Sequence, residues 1–160
     1  MTLATVLVIT AIAGAPAPQA AAPPQRPRAE LTAVTPSAPI ERGSRVTLTL
    51  QVRLPEGIHV QADKPRDPLL IATTLTLTPP DGVTVDRIVF PQGTDFAQAG
   101  QSKPLLVFGS DFVVSAQVTV TSAAPAGEIK IPAVLRYQAC NERVCFAPAR
   151  AQAAWTLTAR

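Results

Sequence analysis

Two side chains in this sequence are able to carry redox chemistry, Cys140 and Cys145. They are its only cysteines, separated by Asn141, Glu142, Arg143 and Val144. Two cysteines allow one bridge and one connectivity. Thiol–disulfide exchange needs an accessible thiolate, a second sulfur to resolve the mixed disulfide, and restricted access for wrong reagents. The same pair also serves as a structural staple. A ring of about six residues is worth roughly 2 kcal/mol in the chain-entropy model, well below the value for a long loop. A chain of 160 residues buries a core without such help. That favours a functional pair modestly, and the spacing alone leaves both readings open. Either sulfur is eligible to attack. Arg143 favours a thiolate and Glu142 opposes it, so the local charges nearly cancel. A metal site needs more ligands than one histidine, His59, and two cysteines provide. His59 itself reads as a core or surface histidine, since nothing in the sequence places it near the thiols.

The elements that must position the pair read as strands. Valine, threonine and leucine dominate, and 17 prolines with 8 glycines imply many turns and few long helices. Arg45 to Leu54 alternates, with Val46, Leu48, Leu50, Val52 and Leu54 on one face. Phe112 to Thr121 does the same with Val114, Ala116, Val118 and Val120. Further strands are expected over Ala29–Val34, Ile58–Val60, Leu69–Thr78, Leu105–Phe108 and Glu128–Ala139, and Ala151–Ala159 closes the chain. Val83–Phe90 breaks its alternation between Val85 and Ile88, which predicts a bulge or bend. Pro91 to Lys103 reads as a long polar loop. Trp155 and Tyr137 are expected in the core. No segment repeats and no helical period appears. The expected fold class is all-β, an immunoglobulin-like β-sandwich of about 7–9 antiparallel strands. The long-range Cys…Trp…Cys spacing of antibody domains is absent.

At the start, Leu3 to Ala13 is an apolar run too short to span a bilayer, followed by a small-residue stretch, Ala15 to Ala22. This predicts a signal peptide over residues 1–22, an Ala/Pro-rich linker over 23–29 and one domain over 30–160. Export to an oxidising compartment permits a disulfide. The mature chain is then expected to be soluble, with no membrane span. The formal net charge is +3, and Arg42, Arg45, Arg53, Lys64, Arg66, Arg87 and Lys103 are scattered. Without a basic run or basic–aromatic alternation, nucleic-acid binding is not expected. The acids lie mostly in turns and form no catalytic pairing, which argues against an enzyme acting on small molecules. No cofactor is expected.

Tyr137-Gln138-Ala139-Cys140, followed by Cys145, Phe146 and Pro148, resembles the cysteine motif of the N-terminal periplasmic domain of DsbD. The segment Gly57-Ile58-His59-Val60 and the corner Phe90-Pro91-Gln92-Gly93 agree with it. The resemblance covers most of residues 30 to 158. It implies an immunoglobulin-like domain carrying the pair at one end of the sandwich. It implies protein-disulfide reductase activity toward periplasmic substrates such as disulfide isomerases and cytochrome-maturation thioredoxins. Cys145 would attack the substrate disulfide and Cys140 would resolve it. Tyr137 and Phe146 would line the site. The loop from Gly93 to Lys103 would be the counterpart of the family's cap loop, with Phe96 as the aromatic shield. These 160 residues contain neither a multi-helix membrane domain nor a thioredoxin-like domain with its Cys-x-x-Cys. Reducing power is therefore expected from a thioredoxin-like protein or a separate membrane electron donor.

Two functions follow. A periplasmic exchange module predicts a labile, partly exposed disulfide. An immunoglobulin-like binding or assembly module predicts a buried bridge that resists mild reductant.

Overall fold

A computed structural model describes residues 26–160 of the chain. The expected signal peptide and the first residues of the expected linker lie outside the described residues. Eleven strands and no helix are found among them: β1 (Glu30–Val34), β2 (Ser44–Arg53), β3 (His59–Gln61), β4 (Thr74–Leu77), β5 (Val83–Val89), β6 (Thr94–Phe96), β7 (Leu105–Phe108), β8 (Asp111–Val120), β9 (Gly127–Tyr137), β10 (Ala139–Cys140) and β11 (Ala149–Ala159). Eight of these run four residues or more, within the expected count; of the three shorter ones, β3 answers to the expected Ile58–Val60 strand, and β6 and β10 are additions.

Alternation drives the longest strands. In β2, Leu48, Leu50 and Val52 are buried while Arg45, Thr47, Gln51 and Arg53 face solvent. β8 buries Val114, Ala116, Val118 and Val120 opposite them. The two strands pair antiparallel from Ser44↔Val120 to Arg53↔Asp111. β1 and β5 complete a sheet of order β1-β2-β8-β5. The β5–β8 register shifts between Val85 and Arg87, which is the expected bulge.

A second sheet runs β11-β9-β4. It contributes Ile129, Ile131, Leu135, Trp155 and Leu157 to the same buried cluster as Leu48, Leu50 and Val118. Trp155 is fully buried, and its indole N–H donates to the Thr49 carbonyl at 3.0 Å. This bond ties β11 to β2 and satisfies the one polar atom of the side chain. All strand pairings in the three sheets are antiparallel. The protein is an all-β, immunoglobulin-like sandwich.

One expected strand is shorter in the structure. Leu69–Thr78 reduces to Thr74–Leu77, and Leu69 is 89% exposed. Asp67 explains this. Its carboxylate accepts the Leu69 N–H at 2.9 Å and its carbonyl accepts the Leu70 N–H at 3.1 Å, so a turn captures these leucines.

The third sheet, of order β10-β3-β7-β6, positions the cysteines. It holds Cys140 in β10 at one edge and Phe96 in β6 at the other.

Candidate functional site

Cys140 and Cys145 face each other across a hairpin. They form a disulfide with a Cα–Cα distance of 4.0 Å. Backbone bonds flank the pair on both sides. The Phe146 N–H donates to the Ala139 carbonyl at 2.8 Å, and the Asn141 N–H to the Val144 carbonyl at 3.0 Å. Asn141 also builds the turn, because its Oδ1 accepts the N–H groups of Arg143 at 2.9 Å and Val144 at 2.8 Å. Gln138 clamps the exit, its Nε2 donating to the Phe146 carbonyl at 3.0 Å. The sulfurs are thus brought together by the hairpin itself as well as by their bond.

The two sulfurs have unlike surroundings. Cys140 is fully buried and Cys145 is exposed. Cys140 pairs with His59 of β3 in register. His59 is buried, and its ring packs on Phe96 with centroids 4.0 Å apart and planes tilted by 38°. The segment after β6 then reaches back to the hairpin. The Ala99 N–H donates to the Glu142 carbonyl at 3.3 Å. Gln98, buried, lies between His59 and Cys145. Its Oε1 is 3.2 Å from His59 Nε2, and its Nε2 is 3.9 Å from Cys145 Sγ. Burial pushes the His59 pKa down, partly offset by the Gln98 hydrogen bond. Arg66 holds the base of this loop, bonding the Asp95 carboxylate before it and the Pro104 carbonyl after it, the latter at 3.0 Å.

Cys140, Cys145 and the Gly93–Lys103 loop therefore meet at one place. Phe96 is half-buried there and contacts His59. Phe146 is half-buried against the core cluster just after Cys145. Tyr137 is buried and turned to another task. Its hydroxyl accepts the Ala29 N–H at 2.7 Å, pinning the segment that enters β1. It lines a groove with Arg26, Arg28, Arg136 and Arg150.

Sequence reasoning missed two residues. His59 stands beside Cys140 because β3 pairs with β10, a contact across most of the domain that no local pattern encodes. Gln98 sits in a stretch read only as polar loop. The His59 reading as a core histidine describes its burial but not its neighbours. Among the described residues, no group of three His, Cys, Asp or Glu side chains could hold a metal ion. No helix among them is long and apolar enough to cross a membrane.

The family described as thiol:disulfide interchange protein DsbD, N-terminal, matches residues 25–156. No curated protein matches the chain. Among solved structures, the chain is similar to the reduced N-terminal domain of Neisseria meningitidis DsbD. Identity is 17% and the TM-score 0.46, over 69% of this chain and 77% of that one. It is also similar to the GAE domain of GGA2p from Saccharomyces cerevisiae, at 12% identity and TM-score 0.42, over 82% and 89%.

Proposed function

The chain belongs to the family of N-terminal domains of the thiol:disulfide interchange protein DsbD, and from that premise we propose that it is a periplasmic thiol–disulfide exchange module. The reading rests most on one observation: Cys145 is exposed and Cys140 is fully buried. A staple gains nothing from such asymmetry, whereas exchange needs one reachable sulfur and one protected resolver.

In the reducing direction, the Cys145 thiolate attacks a substrate disulfide. A bond forms from Cys145 to one substrate sulfur, and the other substrate sulfur leaves as a thiolate and takes up a proton. Cys140 then gives up its proton and attacks Cys145. That step expels the first substrate sulfur, closes the Cys140–Cys145 bond and leaves two electrons on the substrate. The partners are thioredoxin-like proteins of the periplasm, with a separate thioredoxin-like or membrane donor restoring the dithiol. Phe96 and the Gly93–Lys103 loop limit access from one side, and Phe146 and Tyr137 shape the scaffold around the pair.

The test is the equilibrium reduction potential of the pair in a dithiothreitol or glutathione series. Structural disulfides of secreted proteins lie below about −300 mV. A clearly higher value, with a Cys140→Ser variant that traps a thioredoxin-like partner on Cys145, is the expected result. A value below that limit, with unfolding on reduction, would leave a binding domain with a structural bridge.

A further inference from the structure

Gln98 and His59 form a polar chain that ends on the exposed sulfur. A primary amide has two unlike ends, and its orientation decides which end a neighbouring sulfur meets. Here the carbonyl oxygen faces His59 Nε2 at 3.2 Å, and the NH2 group faces Cys145 Sγ at 3.9 Å. A carbonyl oxygen only accepts, so the proton in the first contact belongs to His59 Nε2. A His59 that carries its proton on Nε2 matches this amide orientation and opposes the reverse one. With the amide reversed, an oxygen lone pair would face the sulfur and oppose any negative charge there. The other cysteine meets the opposite kind of group. Cys140 Sγ lies 3.9 Å from the Gln138 carbonyl oxygen, which accepts a proton from a thiol and disfavours a thiolate.

We infer that Gln98 is a catalytic residue that donates an N–H to the Cys145 sulfur when it carries charge, and that His59 is the positioning residue that sets the orientation of that amide. In the reduced protein the donor at Cys145 and the acceptor at Cys140 divide the labour between the sulfurs. Cys145 is favoured as thiolate, and Cys140 holds its proton until the mixed disulfide forms. The cap loop then has a chemical role besides shielding. Burial supports the arrangement. Gln98 is 9% exposed and His59 4%, so water competes weakly for the bond between them. The nearby charged residues, Glu142 and Arg143, are exposed on the hairpin turn and leave the amide as the buried donor to this sulfur.

This inference builds on the exchange reading, but its readout does not require a partner. The experiment is alkylation of the reduced full chain with iodoacetamide across pH, with each cysteine followed separately by mass spectrometry. Gln98→Met keeps the side-chain length and removes the donor. Its Cys145 profile should move up by about half a unit to one unit, with threefold to tenfold slower alkylation near pH 7 and no change at Cys140. His59→Phe keeps the aromatic contact with Phe96 and should give a smaller shift of the same sign. The double variant should match Gln98→Met alone, because His59 acts through the amide. Gln98→Ala repeats the donor test if the methionine packs badly. Unmoved Cys145 profiles in both Gln98 variants would overturn the inference, as would an undiminished His59→Phe effect in the Gln98→Met background. Failure to trap a partner would instead remove the exchange reading and leave these profiles as they stand.

Discussion

At the scale of single residues, His59 shows what the sequence hides. Its type was legible and its place was not. One histidine between an isoleucine and a valine carries no signal that it will lie opposite a cysteine 81 positions on, because that neighbour comes from the β3–β10 pairing. Burial makes a prediction possible. The folded-state pKa of His59 is lowered, mainly by desolvation. The unfolded chain therefore binds a proton near pH 6.5, where the folded chain does not. The sign follows: stability tied to neutral His59 is fully present above about pH 6.5 and is lost as pH falls below it toward the folded-state pKa. Urea unfolding of wild type and His59→Phe from pH 8 to pH 5 should give a constant difference above about pH 7. Below that, the wild type should weaken more steeply than the variant. The carboxylates are common to both proteins and cancel in the comparison. Parallel curves throughout would show that His59 does not titrate between the folded and unfolded states.

At the scale of elements, legibility followed strand length. The alternation of β2 and β8 needed no structure, and the Val85–Ile88 irregularity marked the bulge in β5. β6 escaped because Thr94-Asp95-Phe96 offers three residues and one apolar side chain, too little for a period. That short strand and its pairing with β7 decide where the segment carrying Gln98 starts. The cysteine hairpin was legible as a turn, but the role of Asn141 was not. Its side chain accepts two N–H groups of the turn, bonds that involve neither sulfur and so can hold the thiols opposed once the disulfide opens. Preorganisation of this kind favours the disulfide, since closing the ring then costs less entropy. Asn141→Ala releases the turn in the dithiol more than in the disulfide. Two exposed hydrogen bonds are worth about 1–2 kcal/mol together, and about 1.4 kcal/mol corresponds to 30 mV for this two-electron couple. The reduction potential of Asn141→Ala should rise, becoming less negative by up to about 40 mV. An unchanged potential would mean that pairing with β3 alone holds the hairpin closed.

At the scale of the whole molecule, neither cysteine belongs to the main buried cluster. The buried cluster runs through β2, β8, β9 and β11, and Trp155 links its two sheets by packing and by the bond to Thr49. That core was readable because apolar residues repeat at period two and have only one face to bury. The third sheet was less readable, since short strands paired across distant sequence carry it. Cys140 sits at its edge, tied by the bonds of Ala139 and Cys140 to β3 and by the hairpin bonds. Opening the disulfide removes a ring constraint worth about 2 kcal/mol, small beside a cluster drawn from both larger sheets. Reduction should therefore lower the thermal midpoint by about 5–10 °C while preserving one cooperative transition. The near-UV circular dichroism of Trp155 should stay native-like. A domain that cycles between dithiol and disulfide has to fold in both states, so this is also a requirement of the exchange function. A reduced chain that loses its near-UV signal or melts without cooperativity would show the bond to be part of the fold. Cycling at Cys145 would then cost the molecule its structure at every turnover.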